Sequence, residues 1–343
     1  MGKLISDQQV KSLGTMNQGA IKQSSIIEGV ESMDAASKRN MGVMTTLIAI
    51  TLLAGNGYFA KGLVADTLSL TLLRSVIAAI SILLFVWLTG QKIRLNNRRD
   101  YTICYLAGLL LGVHWLCFFY SMRVSTVALG MTTLYTYPII TLWLEAFILK
   151  KKVYIRDGVN TLIVVIGVVL IGIPEAMGVN DGSFLSKETS TNNLLGVGLG
   201  LASALCFAAR NILQQQFLST YTPHKTIFYQ VITISCLMLL FFWLEISQNL
   251  SLNLAKQEGL QWVLLGVFFT ALPHSLMASG IKNIGAKSVS IIGCLQPVIG
   301  AFIAYMILNE LSSHIVVIGC VVIMTGAVLE IYHQGKLSQR NEP

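Results

Sequence analysis

Long apolar segments recur along most of the chain and are separated by short polar or basic stretches. A helix needs about 20 mostly apolar residues to cross about 30 Å of hydrocarbon. The sequence therefore predicts an all-α polytopic membrane protein with ten transmembrane helices. These helices are predicted at residues 43–62, 67–89, 101–121, 126–149, 157–173, 194–213, 225–245, 260–281, 287–309 and 314–333.

The longest polar stretch between these segments divides them into two groups of five. We predict a first five-helix unit at residues 42–173, an external linker at 174–193 and a second unit at 194–333. Residues 1–41 are rich in Ser, Gln, Asn, Gly and Lys and have no long apolar run, which is typical of a disordered tail. Residues 334–343 are predicted to form a short C-terminal tail.

Composition supports a membrane protein and argues against a nucleic-acid-binding one. Hydrophobic residues make up 54% of the chain and charged residues only 12%, whereas a soluble domain has roughly 25% charged residues. The net charge is +8, but the basic residues form short clusters between apolar segments instead of one stripe. The lipid bilayer is therefore the expected partner, and no nucleic acid is expected.

The basic residues also predict the orientation. With the N-terminus in the cytoplasm and ten alternating helices, 19 of the 24 Lys and Arg residues fall in inner segments, with Arg210 counted among them. Such an asymmetry follows the positive-inside rule. We predict both termini in the cytoplasm and a location in the bacterial inner membrane.

The two groups of helices share residues at a constant offset of 159. Pro138 coincides with Pro297 and Gly167 with Gly326, and several apolar positions around them coincide too. Because each unit has five helices, an odd number, the two copies are predicted to cross the membrane in opposite senses. Inverted repeats are typical of secondary transporters, in which the substrate site lies near the midplane between the repeats.

Several short motifs, in order and partly duplicated, resemble EamA-type carriers of the drug/metabolite transporter superfamily. The resemblance covers residues 43–333. The motifs are Leu73–Ala79, Gly112–Ser121, Ser125–Ala128, Tyr137–Pro138, Leu144–Ala146, Pro273–Leu276, Gly285–Lys287, Leu295–Pro297 and Leu308–Glu310.

This resemblance implies ten helices in two inverted repeats and substrates such as amino acids, nucleotide-sugars, polyamines or drugs. The chain departs from the family pattern at two places. Gln296 stands where the family often has Glu before the proline of the ninth helix, and Lys150-Lys151 stand where a Gly-Glu pair often ends the fourth helix. The carboxylates expected there for proton coupling are absent.

Arg74 is the most conspicuous charged residue within a predicted span. It lies eight residues into the second helix, roughly 12 Å deep by helical rise. A charge at this depth is costly unless it is paired or faces water. Arg74 either clamps a substrate carboxylate or phosphate through its guanidinium fork, or pairs with a helix C-terminus or with Glu310. The sequence leaves both interpretations open.

Three titratable residues are candidates for proton coupling. Glu145 either accepts a proton or reaches the interface to pair with Lys150 or Lys151. His114 and His274 occupy nearly equivalent places in the two units, where they either relay protons or form ordinary buried hydrogen bonds.

Polar side chains within the spans are predicted to face the interior of the bundle, because they need partners in hydrocarbon. Pro138 and Pro297 lie in the middle of their spans and are predicted to kink them and permit gating. The candidate substrate-binding residues are Arg74, Asn56, Tyr58, His114, Trp115, Tyr135, Tyr137, Tyr229, His274 and Gln296.

These features favour a secondary transporter that moves a small metabolite, such as an amino acid, a nucleotide derivative or a drug, by alternating access. The alternatives are a non-transporting scaffold or receptor and an intramembrane enzyme. A hydrolase is disfavoured because the chain lacks His-Glu-x-x-His and Gly-x-Ser-x-Gly. No metal site, cofactor or catalytic residue is predicted, and the substrate, coupling ion and oligomeric state are left open.

Overall fold

A computed structural model describes residues 34–55, 67–125, 127–150, 152–176, 187–245, 259–308 and 314–339. Every regular element within these ranges is a helix, and none of their residues lies in a strand. The prediction of an all-α protein is confirmed for this part of the chain.

We number the helices in chain order. Between α9 and α10 the chain forms a π-helical turn, Val267–Ala271. The helices are α1 (34–54), α2 (Thr67–Leu88), α3 (Arg98–Val124), α4 (Val127–Leu134), α5 (Tyr137–Ile148), α6 (Ile155–Ala176), α7 (Lys187–Phe217), α8 (Pro223–Glu245), α9 (Gly259–Gly266), α10 (Leu272–Gly293), α11 (Leu295–Leu308) and α12 (His314–Gln339).

Five helical segments in the described ranges are long and apolar enough to cross a membrane: Leu68–Leu88, Arg98–Met122, Leu194–Phe217, Pro223–Phe241 and Gly259–Gly293. The described structure exposes large apolar side chains and buries charged ones, the reverse of a soluble protein. Large apolar side chains such as Trp87 and Phe147 are 74% and 84% exposed, while Arg74 and Arg210 are buried. Lipid, which solvates apolar surface, accounts for this arrangement.

Several helices extend beyond the predicted spans, and three of them reach well into the predicted tails or linker. Helix α1 begins at residue 34, inside the predicted N-terminal tail. Helix α7 begins at Lys187, inside the predicted linker, and α12 continues to Gln339. The hydropathy criterion finds only the part of a helix that is apolar enough for lipid, so it misses polar turns at the helix ends.

The fourth predicted span, 126–149, is wrong as a single helix. Helix α4 ends at Leu134, and α5 begins at Tyr137 with Pro138 in its first turn. Proline disfavours a helical conformation in the residue before it and has no N–H, but in a first turn it removes no hydrogen bond. The proline therefore follows a helix break instead of kinking a continuous helix.

The ninth predicted span, 287–309, is interrupted in the same way. Helix α10 bends at Gly285, whose φ of +84° favours glycine, and ends at Gly293. Cys294 separates it from α11, which carries Pro297 in its first turn. Shifting α4 by 159 residues gives the segment from Ala286 to Gly293, so both breaks fall at the same repeat position.

Helices α6 and α12 pack closely through glycines related by the offset of 159. A Cβ atom at Gly167 would lie 2.7 Å from Cγ1 of Ile323, and one at Gly326 would lie 2.3 Å from Cγ2 of Val164. Val164 and Ile323 are also 159 residues apart. Gly167 therefore packs against Ile323, and its repeat equivalent Gly326 packs against Val164, the repeat equivalent of Ile323. Two-fold symmetry produces reciprocal contacts of this kind.

Equivalent positions of the two units also meet at the helix breaks. The Sγ of Cys294 lies 4.0 Å from the backbone oxygen of Tyr135, and these residues are 159 positions apart. On α2 and α8, Ser235 donates a hydrogen bond of 3.1 Å to the hydroxyl of Ser75. Their separation is 160, the same as that between His114 and His274.

We expect Gly167→Ala to destabilise the protein. The added Cβ would lie 2.9 Å from the backbone oxygen of Gly319, which cannot move without separating α6 from α12, and overpacking of this kind costs about 1–3 kcal/mol. Gly158→Ala on the same helix is the matched control, since nothing lies within 4 Å of its Cβ position. Thermal unfolding in detergent measures both variants, and equal midpoints would contradict the close packing.

Candidate functional site

Arg74 is buried in the interior of the bundle, where helices from both predicted units meet. Its Nε donates a 3.1 Å hydrogen bond to Oγ1 of Thr270, and its Cζ lies 4.3 Å from the ring centroid of Trp115. The ring face stabilises the guanidinium through a cation–π interaction. None of the ion pairs formed by the described residues includes Arg74, and Glu310 lies outside those residues.

The π-helical turn explains how Thr270 reaches Arg74. Pro273, one turn further along, has no N–H to donate to the helical ladder, and the chain widens here into a single π turn. Such turns are frequent at functional sites. The hydroxyl of Thr270 donates to the carbonyl of Leu265 at 2.7 Å, which leaves its lone pair for Arg74.

His274 lies against the same indole ring and has unsatisfied nitrogens. The ring centroids of His274 and Trp115 are 5.4 Å apart. His274 is buried, and within the described structure neither of its ring nitrogens has a hydrogen-bond partner. Buried polar atoms are rarely left unpaired, so these nitrogens mark a place where a ligand group can bind.

His114, by contrast, has hydrogen-bond partners at Nδ1. Its Nδ1 lies 2.8 Å from Oγ and 3.2 Å from the backbone oxygen of Ser203, and its ring stacks on Phe207 at 4.6 Å. The carbonyl only accepts hydrogen bonds, so Nδ1 carries the proton. The two histidines therefore occupy similar places in the two units. In the described structure His274 has both ring nitrogens available to a ligand, whereas Nδ1 of His114 is already bonded. We call Arg74, His114, Trp115, Thr270 and His274 the central cluster.

Of the other predicted binding residues, Tyr135 and Tyr137 lie near the central cluster. Tyr137 packs edge-on against Phe207 at 5.1 Å and donates a 3.0 Å hydrogen bond to the backbone of Ser290. Tyr135 is buried, 6.2 Å from Tyr137 between ring centroids. These two tyrosines connect the first helix break to the central cluster.

Three further predicted residues contact other parts of the fold, and two are not described. Tyr229 packs against Tyr101 and Tyr105 of α3, and Gln296 donates to the backbone oxygen of Leu53 at 3.2 Å. Glu145 accepts a 3.4 Å hydrogen bond from the backbone N–H of Lys287. Asn56 and Tyr58 lie outside the described residues.

Glu145 lines an open cleft of about 830 Å³. The basic residues of this cleft come from segments that the charge pattern assigns to the cytoplasmic side, and they include Arg39, Lys152, Arg156 and Lys287. No member of the central cluster lines the cleft. The cleft and the central cluster are thus two separate features of the bundle.

A network of charged groups joins α6 to α10 and α12 beside the cleft. The Nζ of Lys287 lies 3.0 Å from Oδ2 of Asp157, and Arg156 contacts Oδ1 of the same carboxylate at 3.1 Å. Next to it, Ser288 donates a 2.6 Å hydrogen bond to the buried carboxylate of Glu330. The network connects the two predicted units at one end of the bundle.

Arg210 is a buried charge that the sequence interpretation misplaced. It was counted with the inner loop charges, but its side chain is fully buried between α7 and α8. Its Nε donates to Oε1 of Gln230 at 2.8 Å and its Nη1 to Oδ1 of Asn211 at 3.0 Å. The i, i+4 spacing of Arg210 and Gln214 on one helical face was the signal that could have indicated an interior position.

The family comparison agrees with this geometry. Residues 40–173 match the EamA-like transporter family, and residues 194–332 match it again. The chain belongs to the EamA-like transporter family. Its family and its five long apolar helices establish an integral membrane protein with a general transporter role.

Individual relatives of this EamA-like chain are also named as transporters. An S-adenosylmethionine uptake transporter of Rickettsia prowazekii is 26% identical over 322 residues, which are 90% of this chain and 99% of the relative. An uncharacterized transporter of Synechocystis sp. is 27% identical over 231 residues, which are 65% of this chain and 64% of the relative. The chain thus spans somewhat less than two thirds of the Synechocystis protein.

A solved crystal structure shares the fold of this EamA-like chain. The TM-score is 0.68 at 17% sequence identity, and the match covers 86% of this chain and 98% of the other. At this identity the likeness concerns the fold alone.

Proposed function

We propose that the chain is a secondary transporter that carries a small metabolite with an anionic group by alternating access. The observation behind this proposal is the buried guanidinium of Arg74. It lies where α2 and α3 meet the π turn and α10, beside the unpartnered nitrogens of His274. In a protein of a transporter family, a substrate carboxylate or phosphate is the natural counterion for this charge.

The proposal includes two inverted five-helix units. The double family match, the helix breaks at equal repeat positions and the reciprocal glycine contacts of α6 and α12 all support it. Two copies of opposite orientation can exchange conformations, which gives inward-open and outward-open states of similar energy. On this proposal the chain has ten membrane helices, with both termini in the cytoplasm of a bacterial inner membrane.

The basic cleft supports a gate at the cytoplasmic end. The ion pair of Asp157 with Lys287 joins the two units there, as does the hydrogen bond from Asn160 to Glu330. Opening toward the cytoplasm would require these contacts to break. We therefore assign the Asp157–Lys287 ion pair to the cytoplasmic gate.

The substrate class follows from the chemistry of the central cluster. Arg74 suits a carboxylate or phosphate, and the aromatic rings of Trp115, Tyr135 and Tyr137 suit an apolar or planar portion. Amino acids and nucleotide derivatives combine these features, as does S-adenosylmethionine, the compound in the name of the Rickettsia relative.

Proton coupling is proposed for Glu145, His114 and His274. Glu145 lies at the cleft beside the backbone of Lys287, and both histidines lie within the central cluster. A pH gradient imposed across proteoliposomes tests the three together. Flux that does not respond to the gradient would count against all of them.

We expect purified protein in proteoliposomes to move at least one solute from a panel of amino acids, nucleotides and related anions. The measurement is uptake of each radiolabelled solute, compared with protein-free vesicles. Influx several-fold above the protein-free rate supports transport. Rates equal to those of empty vesicles across the whole panel would contradict it and would leave a scaffold or receptor as the function.

A further inference from the structure

A second buried guanidinium lies one helical turn from the central cluster. Arg210 and Asn211 follow Phe207 on α7, and Phe207 stacks on His114. Three residues of a helix rise about 4.5 Å, so Arg210 is close in depth to the central cluster.

The guanidinium of Arg210 has more N–H donors than its described neighbours have acceptors for them. Gln230 and Asn211 each accept one hydrogen bond from the guanidinium, and Gln230 then donates to Oε1 of Gln214 at 3.0 Å. Gln214 donates in turn to Oγ1 of Thr226 at 3.2 Å. We call these five residues the Arg210 cluster. Its hydrogen bonds run in one direction, away from the guanidinium.

Two donors of this cluster remain without acceptors. Within the described structure, Nη2 of Arg210 and Nδ2 of Asn211 are buried and have no hydrogen-bond partner. None of the ion pairs formed by the described residues includes Arg210. A buried charge without a counterion is destabilising, so a purely structural role does not explain why an arginine occupies this position.

We propose that Arg210 and Asn211 form a second anion-binding locus of the transport site, so that the substrate carries two anionic groups. One group binds Arg74 and the other binds the free Nη2 and Nδ2 donors. Two buried guanidinium charges require about two negative charges for balance. The substrate class is therefore a small dicarboxylate or a phosphorylated metabolite. This inference rests on the proposed transport function.

Matched pairs of solutes test the second locus in the flux assay. The pairs are L-glutamate with L-glutamine, succinate with succinamate, and 3-phosphoglycerate with glycerate. In wild-type proteoliposomes we expect the more anionic member of at least one pair to be transported with a KM roughly 10-fold lower than its partner, because a bidentate charge-assisted contact is added. Arg210→Gln should reduce that preference to less than about twofold.

Two results would overturn the proposal. One is transport of neutral or singly charged members in preference to their partners. The other is an Arg210→Gln variant that keeps the wild-type preference. If Arg210→Gln does not fold, Asn211→Ala replaces it, because this variant removes the free Nδ2 and keeps the Arg210–Gln230 hydrogen bond; an unchanged preference in Asn211→Ala would likewise overturn the proposal.

A binding measurement separates this inference from the transport proposal. In detergent, inorganic phosphate should raise the thermal unfolding midpoint of the wild type more than chloride does at equal ionic strength. Arg210→Gln should reduce this difference, and Arg94→Gln, which removes an exposed arginine, should keep it in full. Absence of flux with this phosphate response present would reject transport but support the anion locus. An equal phosphate response in wild type and Arg210→Gln would reject the locus.

Discussion

Arg74→Gln is expected to reduce kcat/KM for the transported anion by about 30-fold or more. Removing one partner of a buried charge pair costs about 2–5 kcal/mol, and each 1.4 kcal/mol corresponds to about a factor of ten. The guanidinium is buried against Trp115 and Thr270, so water cannot replace it as a partner for the substrate. Initial uptake rates over a range of substrate concentrations measure the effect.

The controls for Arg74→Gln distinguish binding from misfolding. Arg74→Lys keeps the charge but loses the planar fork, so it should fall between the wild type and the glutamine variant. Arg94→Gln removes an exposed arginine and should transport at the wild-type rate. An Arg74→Gln variant with wild-type affinity for its anionic substrate would eliminate the clamp and leave the guanidinium a structural group.

Cross-linking positions 157 and 287 is expected to stop transport almost completely. These positions carry the ion pair that joins α6 to α10 at the cleft, with 3.0 Å between Nζ and Oδ2. A transporter that alternates must separate its two units at this end in one of its states. An Asp157→Cys, Lys287→Cys double variant is treated with a short bis-methanethiosulfonate, and its flux is measured. Reductant then cleaves the cross-link, and flux should return.

The cross-linking experiment has an internal control on α1. Asp34 and Lys38 form an ion pair within one helix, so linking cysteines at these two positions should leave flux unchanged. The uncross-linked double variant at 157 and 287 sets the reference rate. Full flux with positions 157 and 287 covalently joined would show that the two units do not separate there.

The candidate site was predictable where a residue type is unusual in its segment. Arg74 was identified because a charge eight residues into an apolar helix is costly. His114, His274 and Trp115 were identified as polar or aromatic groups in spans, and the structure brings all four together.

Other features depended on information that local sequence does not contain. Arg210 is close to the end of the predicted span 194–213, and the charge pattern assigned it to the inner side, because that pattern does not include Gln230 of α8, which accepts a hydrogen bond from its guanidinium. Tyr229 was grouped with the site as a polar aromatic within a span, but it faces Tyr101 and Tyr105. In both cases the surroundings of the side chain depend on which helix packs against its own helix, and local sequence does not contain that information.

The two helix breaks were only partly predictable from the sequence. Pro138 and Pro297 marked the correct places, and the repeat offset related them. Hydropathy nevertheless merged α4 with α5, because the broken segment is apolar throughout. Proline at the start of a helix and proline within one have opposite effects on the backbone, and the sequence does not tell which applies.

The opposed orientation of the two units is tested most directly by single-cysteine labelling in intact cells, in a variant whose six native cysteines are replaced by serine. Gln91, between α2 and α3, and Gly259, at the start of α9, are exposed positions at corresponding places in the two units. A membrane-impermeant maleimide should label Gly259→Cys from outside, and should label Gln91→Cys only after the membrane is opened. Labelling of both positions from the same side would contradict the inverted arrangement, and with it the proposed alternation.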